Sequence, residues 1–75
     1  MNSATVTVTI RDAYIELYKL LKLENIAASG GEAKYMISEG LVRVNGAVET
    51  RKRRKTIADD IVECEGSRIL VVSEA

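Results

Sequence analysis

The chain has 75 residues, with 11 basic and 11 acidic side chains, no histidine and one cysteine. A length this short builds one small domain that buries only ~60% of its unfolded surface, which leaves little room for a catalytic cleft. The missing histidine removes the commonest metal ligand and general base, and the lone Cys64 excludes an internal disulfide.

In chain order, Thr5 to Ile10 alternates valine or isoleucine with threonine, the pattern of a strand over 5–10 with Val6, Val8 and Ile10 turned inward. Leu17, Leu20 and Leu21 form the apolar stripe of a first helix, placed at about 15–24; Asp12 and Glu16 each offer a start. Asn25 to Ala28 is a short link, so two helices fold back antiparallel. Ser29 and Glu32 have the spacing of a capping box, and Ala33, Met36 and Ile37 give a second helix over 30–39 its buried face. Gly40 sits where a helix ends in a left-handed residue.

Val42-Arg43-Val44 alternates as a strand, and Asn45-Gly46 favours the two-residue turn with positive φ at both positions. This predicts a hairpin over 42–49. Residues 50–56 are too charged for a core strand and are expected as an exposed basic loop. A second hairpin over 60–73 follows, with Gly66-Ser67 as its turn, and Cys64 shares a face with Val62 as a small buried hydrophobe.

Zero net charge argues against a polyanion partner, but the distribution overturns the average. Arg51, Lys52, Arg53, Arg54 and Lys55 are consecutive cations, whereas Asp59, Asp60, Glu63 and Glu65 gather behind them. An approaching phosphate feels that local potential, not the average. Solvated loops and nuclear-import signals carry such runs too. Here the run follows a tight turn, and the mutual repulsion of its charges is relieved by a polyanion.

Lys34 lies one turn into the second helix, where the helix N-terminus and the exposed N–H groups of Gly30 and Gly31 favour a phosphate. Arg43 points away from Val42 and Val44, and Lys19 and Lys22 share the outward face of the first helix. Tyr14, Tyr18 and Tyr35 are aromatic faces on which bases can stack; without an RNP-type pattern, packing at the rim of the core is the plainer use for them.

Ser29, Ala33-Lys34, Ile37 and Gly40-x-Val42-x-Val44-Asn45-Gly46 together resemble the signature of the S4 RNA-binding domain. Leu20-Leu21-Lys22-Leu23 upstream and Asp60-Ile61-Val62 downstream extend the likeness to roughly Ile15 to Val72. With the basic run after the hairpin, the chain is similar to small stand-alone bacterial S4-domain proteins. The resemblance implies an α+β fold of the S4-like (αL) type, with two short antiparallel helices on a small, mostly antiparallel sheet of about five short strands. It also implies a contact to RNA from the basic residue at Lys34.

Four positions depart from the family pattern. Glu16-Leu17-Tyr18 stands where many S4 domains have Arg-Leu-Asp, Gly30 stands where an arginine is common, and Asp59 replaces a turn glycine. The RNA surface is therefore expected to shift toward the 51–55 loop.

The expected function is docking on structured RNA, namely ribosomal RNA or a ribosome-assembly intermediate, through Ser29, Gly30, Gly31, Lys34, Arg43 and residues 51–55. Lys19, Lys22 and Tyr35 are further candidate contacts. A protein-interaction adaptor whose basic loop meets an acidic partner is the alternative. No catalysis, metal or cofactor is expected. No apolar run reaches the ~18 residues of a membrane span and no signal-peptide layout is present, so a cytoplasmic location is expected. The chain is expected as a monomer, with RNA and the ribosome as partners.

Overall fold

The structure, a computed structural model, describes residues 4–74. Among these, the elements run β1 (Ala4–Ile10), β2 (Ile15–Glu16), α1 (Leu17–Leu23), α2 (Gly30–Ser38), β3 (Val42–Val44), β4 (Ala47–Val48), β5 (Lys55–Thr56), β6 (Ile61–Cys64) and β7 (Ser67–Ser73). Five strands form one sheet in the order β1-β7-β6-β3-β4, and β2 pairs with β5 in a separate ribbon. The sheet is antiparallel throughout except where β1 lies parallel to β7.

Both helices stop in the same way. After α1, Asn25 takes φ 60°, its N–H reaches the Lys22 carbonyl, and the Ile26 N–H reaches Leu21. After α2, Gly40 takes φ 78°, its N–H reaches Ile37, and the Leu41 N–H reaches Met36. These are Schellman motifs, which satisfy carbonyls that helix ends otherwise leave orphaned. At the start of α2 the Ser29 hydroxyl accepts from the Glu32 N–H at 3.1 Å. The Glu32 carboxylate reaches one residue further back than a capping box requires, to the Ala28 N–H.

Alternation along the strands puts Val8, Ile10, Val42, Val44, Val62, Cys64, Ile69 and Val71 beneath the helices. Leu17, Leu20, Leu21, Ala33, Met36 and Ile37 close the core from above. Val6, expected inside with Val8 and Ile10, is 40% exposed.

The structure corrects three further expectations. Residues 15–16 are extended, not helical: Glu16 has φ −67° and ψ 139°, because Ile15 and Glu16 pair with Thr56 and Lys55. Apolar spacing cannot register that long-range pairing. For the same reason the basic loop ends earlier than residue 56, with Lys55 and Thr56 in a strand and Thr56 fully buried. The turn of the second hairpin is Glu65-Gly66, with φ 47° and 85°, since Ser67 already pairs with Cys64. Asp59, in the place of the family's turn glycine, adopts the left-handed conformation at φ 77°, which a glycine would carry more easily.

Candidate nucleic-acid interface

The basic loop is built into the start of α1. Glu16 provides no side-chain cap for this helix. Instead the Leu17 N–H donates to the Arg54 carbonyl at 2.9 Å, and the Tyr18 N–H to the Lys52 carbonyl at 3.1 Å. The loop therefore turns carbonyls inward to serve the helix's unsatisfied donors, and its basic side chains other than Arg54 are left exposed.

Carboxylates fix the rest of the loop. Glu49 accepts from the Arg51 backbone N–H, Nε and a terminal guanidinium nitrogen, each at 3.0 Å, and meets Arg54 Nε at 3.1 Å. The Arg51 guanidinium holds the Glu49 carboxyl at about 2; burial opposes this, while the Arg51 N–H and the charges of Arg51 and Arg54 assist it. The pairing also raises the Arg51 guanidinium above its ordinary value.

Asp60 is buried, yet its carboxylate takes three donors: the Asn45 side-chain amide at 2.9 Å, Arg54 at 3.0 Å and the Ile57 N–H at 3.0 Å. Burial pushes the Asp60 carboxyl up, but those donors outweigh it and hold the group below its ordinary range. The Asn45 side-chain oxygen, Oδ1, in turn accepts from the Ile61 N–H at 2.9 Å. One carboxylate thus ties the Asn45-Gly46 turn, the basic loop and the start of β6 together.

Outside this framework lies a cation cluster on one aromatic ring. Tyr18, half-buried at the start of α1, has Lys34 Nζ 4.6 Å, the Arg53 guanidinium 5.2 Å and Lys19 Nζ 5.9 Å from its ring centroid. Gly30 lies beside the same ring: a methyl group built on it would make ordinary contact with Tyr18 Cε2 at 3.7 Å. The ring draws α1, the loop and the N-terminus of α2 onto one surface. Cation–π contacts of this kind contribute about 0.5–1 kcal/mol each at exposed sites. Glu16 partly neutralises the cluster, with one carboxylate oxygen 3.4 Å from both Arg53 and Lys19. A neighbouring contact places Lys55 Nζ 5.0 Å over the Tyr14 ring.

The structure brings together Ser29, Gly30, Gly31, Lys34, Lys19 and Arg53. Lys22 is exposed and borders a shallow hollow with Ile15, Tyr18, Lys19 and Leu23. Lys52 and Lys55 are the members of the run that, among the described residues, pair with no carboxylate. Arg51 and Arg54 are committed to internal carboxylates, and Arg54 is only 22% exposed. Carboxylates, not only an external polyanion, therefore relieve the repulsion within the run.

Arg43 is not part of this surface. It alternates with buried Val42 and Val44, so it lies on the sheet face opposite the helices, paired across strands with Glu63 and Val48. Tyr35 is 62% exposed, and no cation stacks on it among the described residues. Sequence reasoning missed Tyr18 as the ring on which the cations gather, along with Glu16, Glu49 and Asp60 as partners of the basic run. The one available signal was Tyr18 beside Lys19 at the first helix start. Among the described residues no cluster of groups suited to a metal ion occurs.

Comparison with known proteins identifies related chains. The S4 domain family model matches residues 8–72. YbcJ of Escherichia coli K12, named a candidate RNA-binding protein, is 50% identical over 60 residues, which cover 80% of this chain and 86% of that one. RlbA of Bacillus subtilis, named a probable ribosome maturation protein, is 41% identical over 59 residues, covering 79% of this chain and 83% of that one. The solution structure of E. coli YbcJ, described as an αL motif involved in RNA binding, superposes with a TM-score of 0.67 at 46% identity. That match covers 96% of this chain and 90% of the other.

Proposed function

The chain belongs to the S4 domain family, and from that premise we propose that it binds structured RNA, either ribosomal RNA or a ribosome-assembly intermediate, as a non-catalytic module of the cytoplasm. The names of YbcJ and RlbA support RNA and ribosome maturation as the setting. The observation that carries the reading is the gathering of Lys34, Arg53 and Lys19 around the Tyr18 ring.

In this reading a phosphate meets Lys34 and Arg53 beside the N–H groups of Gly30 and Gly31, with Ser29 holding the helix end in shape. Lys52 and Lys55 follow the backbone along the loop, and Lys22 extends the track on α1. Arg51 and Arg54 act from behind by fixing the loop. Arg43 and Tyr35 stand outside the contact.

The rigid anchoring supports recognition of shape. Side chains already held by a ring and by carboxylates lose little freedom on binding, and phosphate contacts position a protein without reading bases. The test is cross-linking in cells followed by sequencing of the bound RNA, repeated with the Lys34→Ala and Arg53→Ala variants. Enrichment of defined structured segments that both variants lose supports the reading. Recovery of an acidic protein complex that survives nuclease treatment would instead establish the adaptor alternative.

A further inference from the structure

The two edges of the main sheet are unlike. One edge is β4, only two residues long, and the other is β1, seven residues long. Short edge strands, lysine, proline and bulges are the usual protection against pairing with another chain. The shortness of β4 protects its edge, whereas Thr5-Val6-Thr7-Val8-Thr9-Ile10 has no charge, no proline and no glycine.

The direction of the β1 backbone follows from its last residue. The Ile10 carbonyl accepts from the Glu74 N–H at 3.0 Å, on the β7 side. Backbone groups alternate sides along a strand, so Val6 and Val8 also face β7. Thr5, Thr7 and Thr9 then turn their N–H and C=O groups to the open edge, and these three residues are exposed.

We propose that β1 is a self-association edge, and that a second copy of this chain pairs with it antiparallel about a two-fold axis at Thr7. In that register Thr7 faces Thr7 of the second copy, and Thr5 and Thr9 face Thr9 and Thr5. All three outward residues of each copy become hydrogen-bonded pairs, six backbone bonds in total. Val6 faces Val8 of the second copy in the closer, non-bonded pairs between them. This covers the apolar side chain that a single chain leaves 40% exposed. On the other face threonine meets threonine, a favourable cross-strand pair, and no charge meets a like charge. A self-complementary patch of this kind is what a two-fold interface requires. The sheets of two chains join into one of ten strands, and the dimer replaces the monomer expected from the sequence.

The inference is independent of the RNA reading, because it uses neither the cation cluster nor the loop. Analytical ultracentrifugation of the RNA-free protein from ~10 µM to ~1 mM, the range of a weak dimer, should show the mass rising from one chain toward two. Amide exchange at Thr5, Thr7 and Thr9 should slow over the same range by tenfold or more. Thr7→Lys sets two ammonium groups against each other at the axis, and Thr9→Lys places a charge at the neighbouring pair. Both side chains are exposed in the single chain, so each variant should keep the thermal unfolding of the wild type and stay at one chain mass. A wild type that remains one chain across the range overturns the proposal. So does a folded pair of lysine variants that associate as the wild type does, which would place the contact elsewhere.

Discussion

The Arg54 guanidinium and the Asp60 carboxylate meet at 3.0 Å, with side chains only 22% and 10% exposed. Arg53, one residue earlier, is 62% exposed and approaches Glu16 at 3.4 Å. Adjacent arginines in one basic run therefore do opposite work: one holds the loop to the fold, and the other faces outward.

Single substitutions should separate the two roles. Arg54→Ala leaves the buried Asp60 short of a charged donor and should lower stability by about 1–3 kcal/mol. Arg53→Ala should stay within about 0.5 kcal/mol of wild type, as surface substitutions do, while weakening RNA binding several-fold. Urea denaturation midpoints and an RNA titration measure both effects. Equal destabilisation by the two variants would show that the loop has no inner and outer side.

Stability should fall in acid, and the sign follows from the two carboxyls. Both Glu49 and Asp60 titrate lower in the folded chain than unfolded, so each contributes stability above its unfolded pKa. That contribution is lost as pH falls through the folded value. For Glu49 the window runs from 4.5 down to about 2, and Asp60 adds to the loss below its ordinary value of 3.8. Denaturation midpoints should hold steady from neutral pH to the top of that window and then drop. Glu49→Gln should be less stable at neutral pH but decline less steeply in acid. A wild-type midpoint that rises across this window would contradict the assigned pairings.

Salt should weaken RNA binding by an amount the outward-facing cations set. If Lys34, Arg53, Lys52 and Lys55 each neutralise one phosphate, log K against log salt should slope at roughly −3 to −4. Arg51 and Arg54 add little, because their charges are already matched by Glu49 and Asp60. A slope near zero, read by titration at several salt concentrations, would remove electrostatic docking as the mechanism.

What the sequence made legible was local. Ser29 with Glu32, Gly40, and Asn45-Gly46 each signal their structure within a few residues, and hydrophobic alternation shows which face of β3 and β6 is buried. Pairings distant in sequence stayed hidden. Nothing near Lys55-Thr56 indicates that Ile15-Glu16 lies beside them, and nothing near Asp60 shows that it receives Asn45 and Arg54. The parallel pairing of β1 with β7 joins the two ends of the described chain, beyond the reach of any local pattern. The basic run was visible as charge, but which arginines turn inward depends on Glu49 and Asp60. Tyr18 was hidden for a related reason: its importance comes from Lys34 and Arg53, which only the fold brings to it.

Tyr18 is where the proposed interface is most open to a decisive test. If its ring orders Lys34 and Arg53, the π face matters and the hydroxyl does not. Tyr18→Phe should then bind RNA within about twofold of wild type. Tyr18→Leu keeps an apolar side chain in the half-buried site but offers the cations no quadrupole, and should lose about 0.5–1 kcal/mol for each contact that binding uses. With two contacts engaged, affinity falls roughly five- to thirtyfold. Denaturation midpoints for both variants, with titrations run well inside the folded range, keep this effect apart from unfolding. A stably folded Tyr18→Leu that binds as tightly as wild type would reduce the ring to a packing element, and the interface would have to be rebuilt around the loop lysines alone.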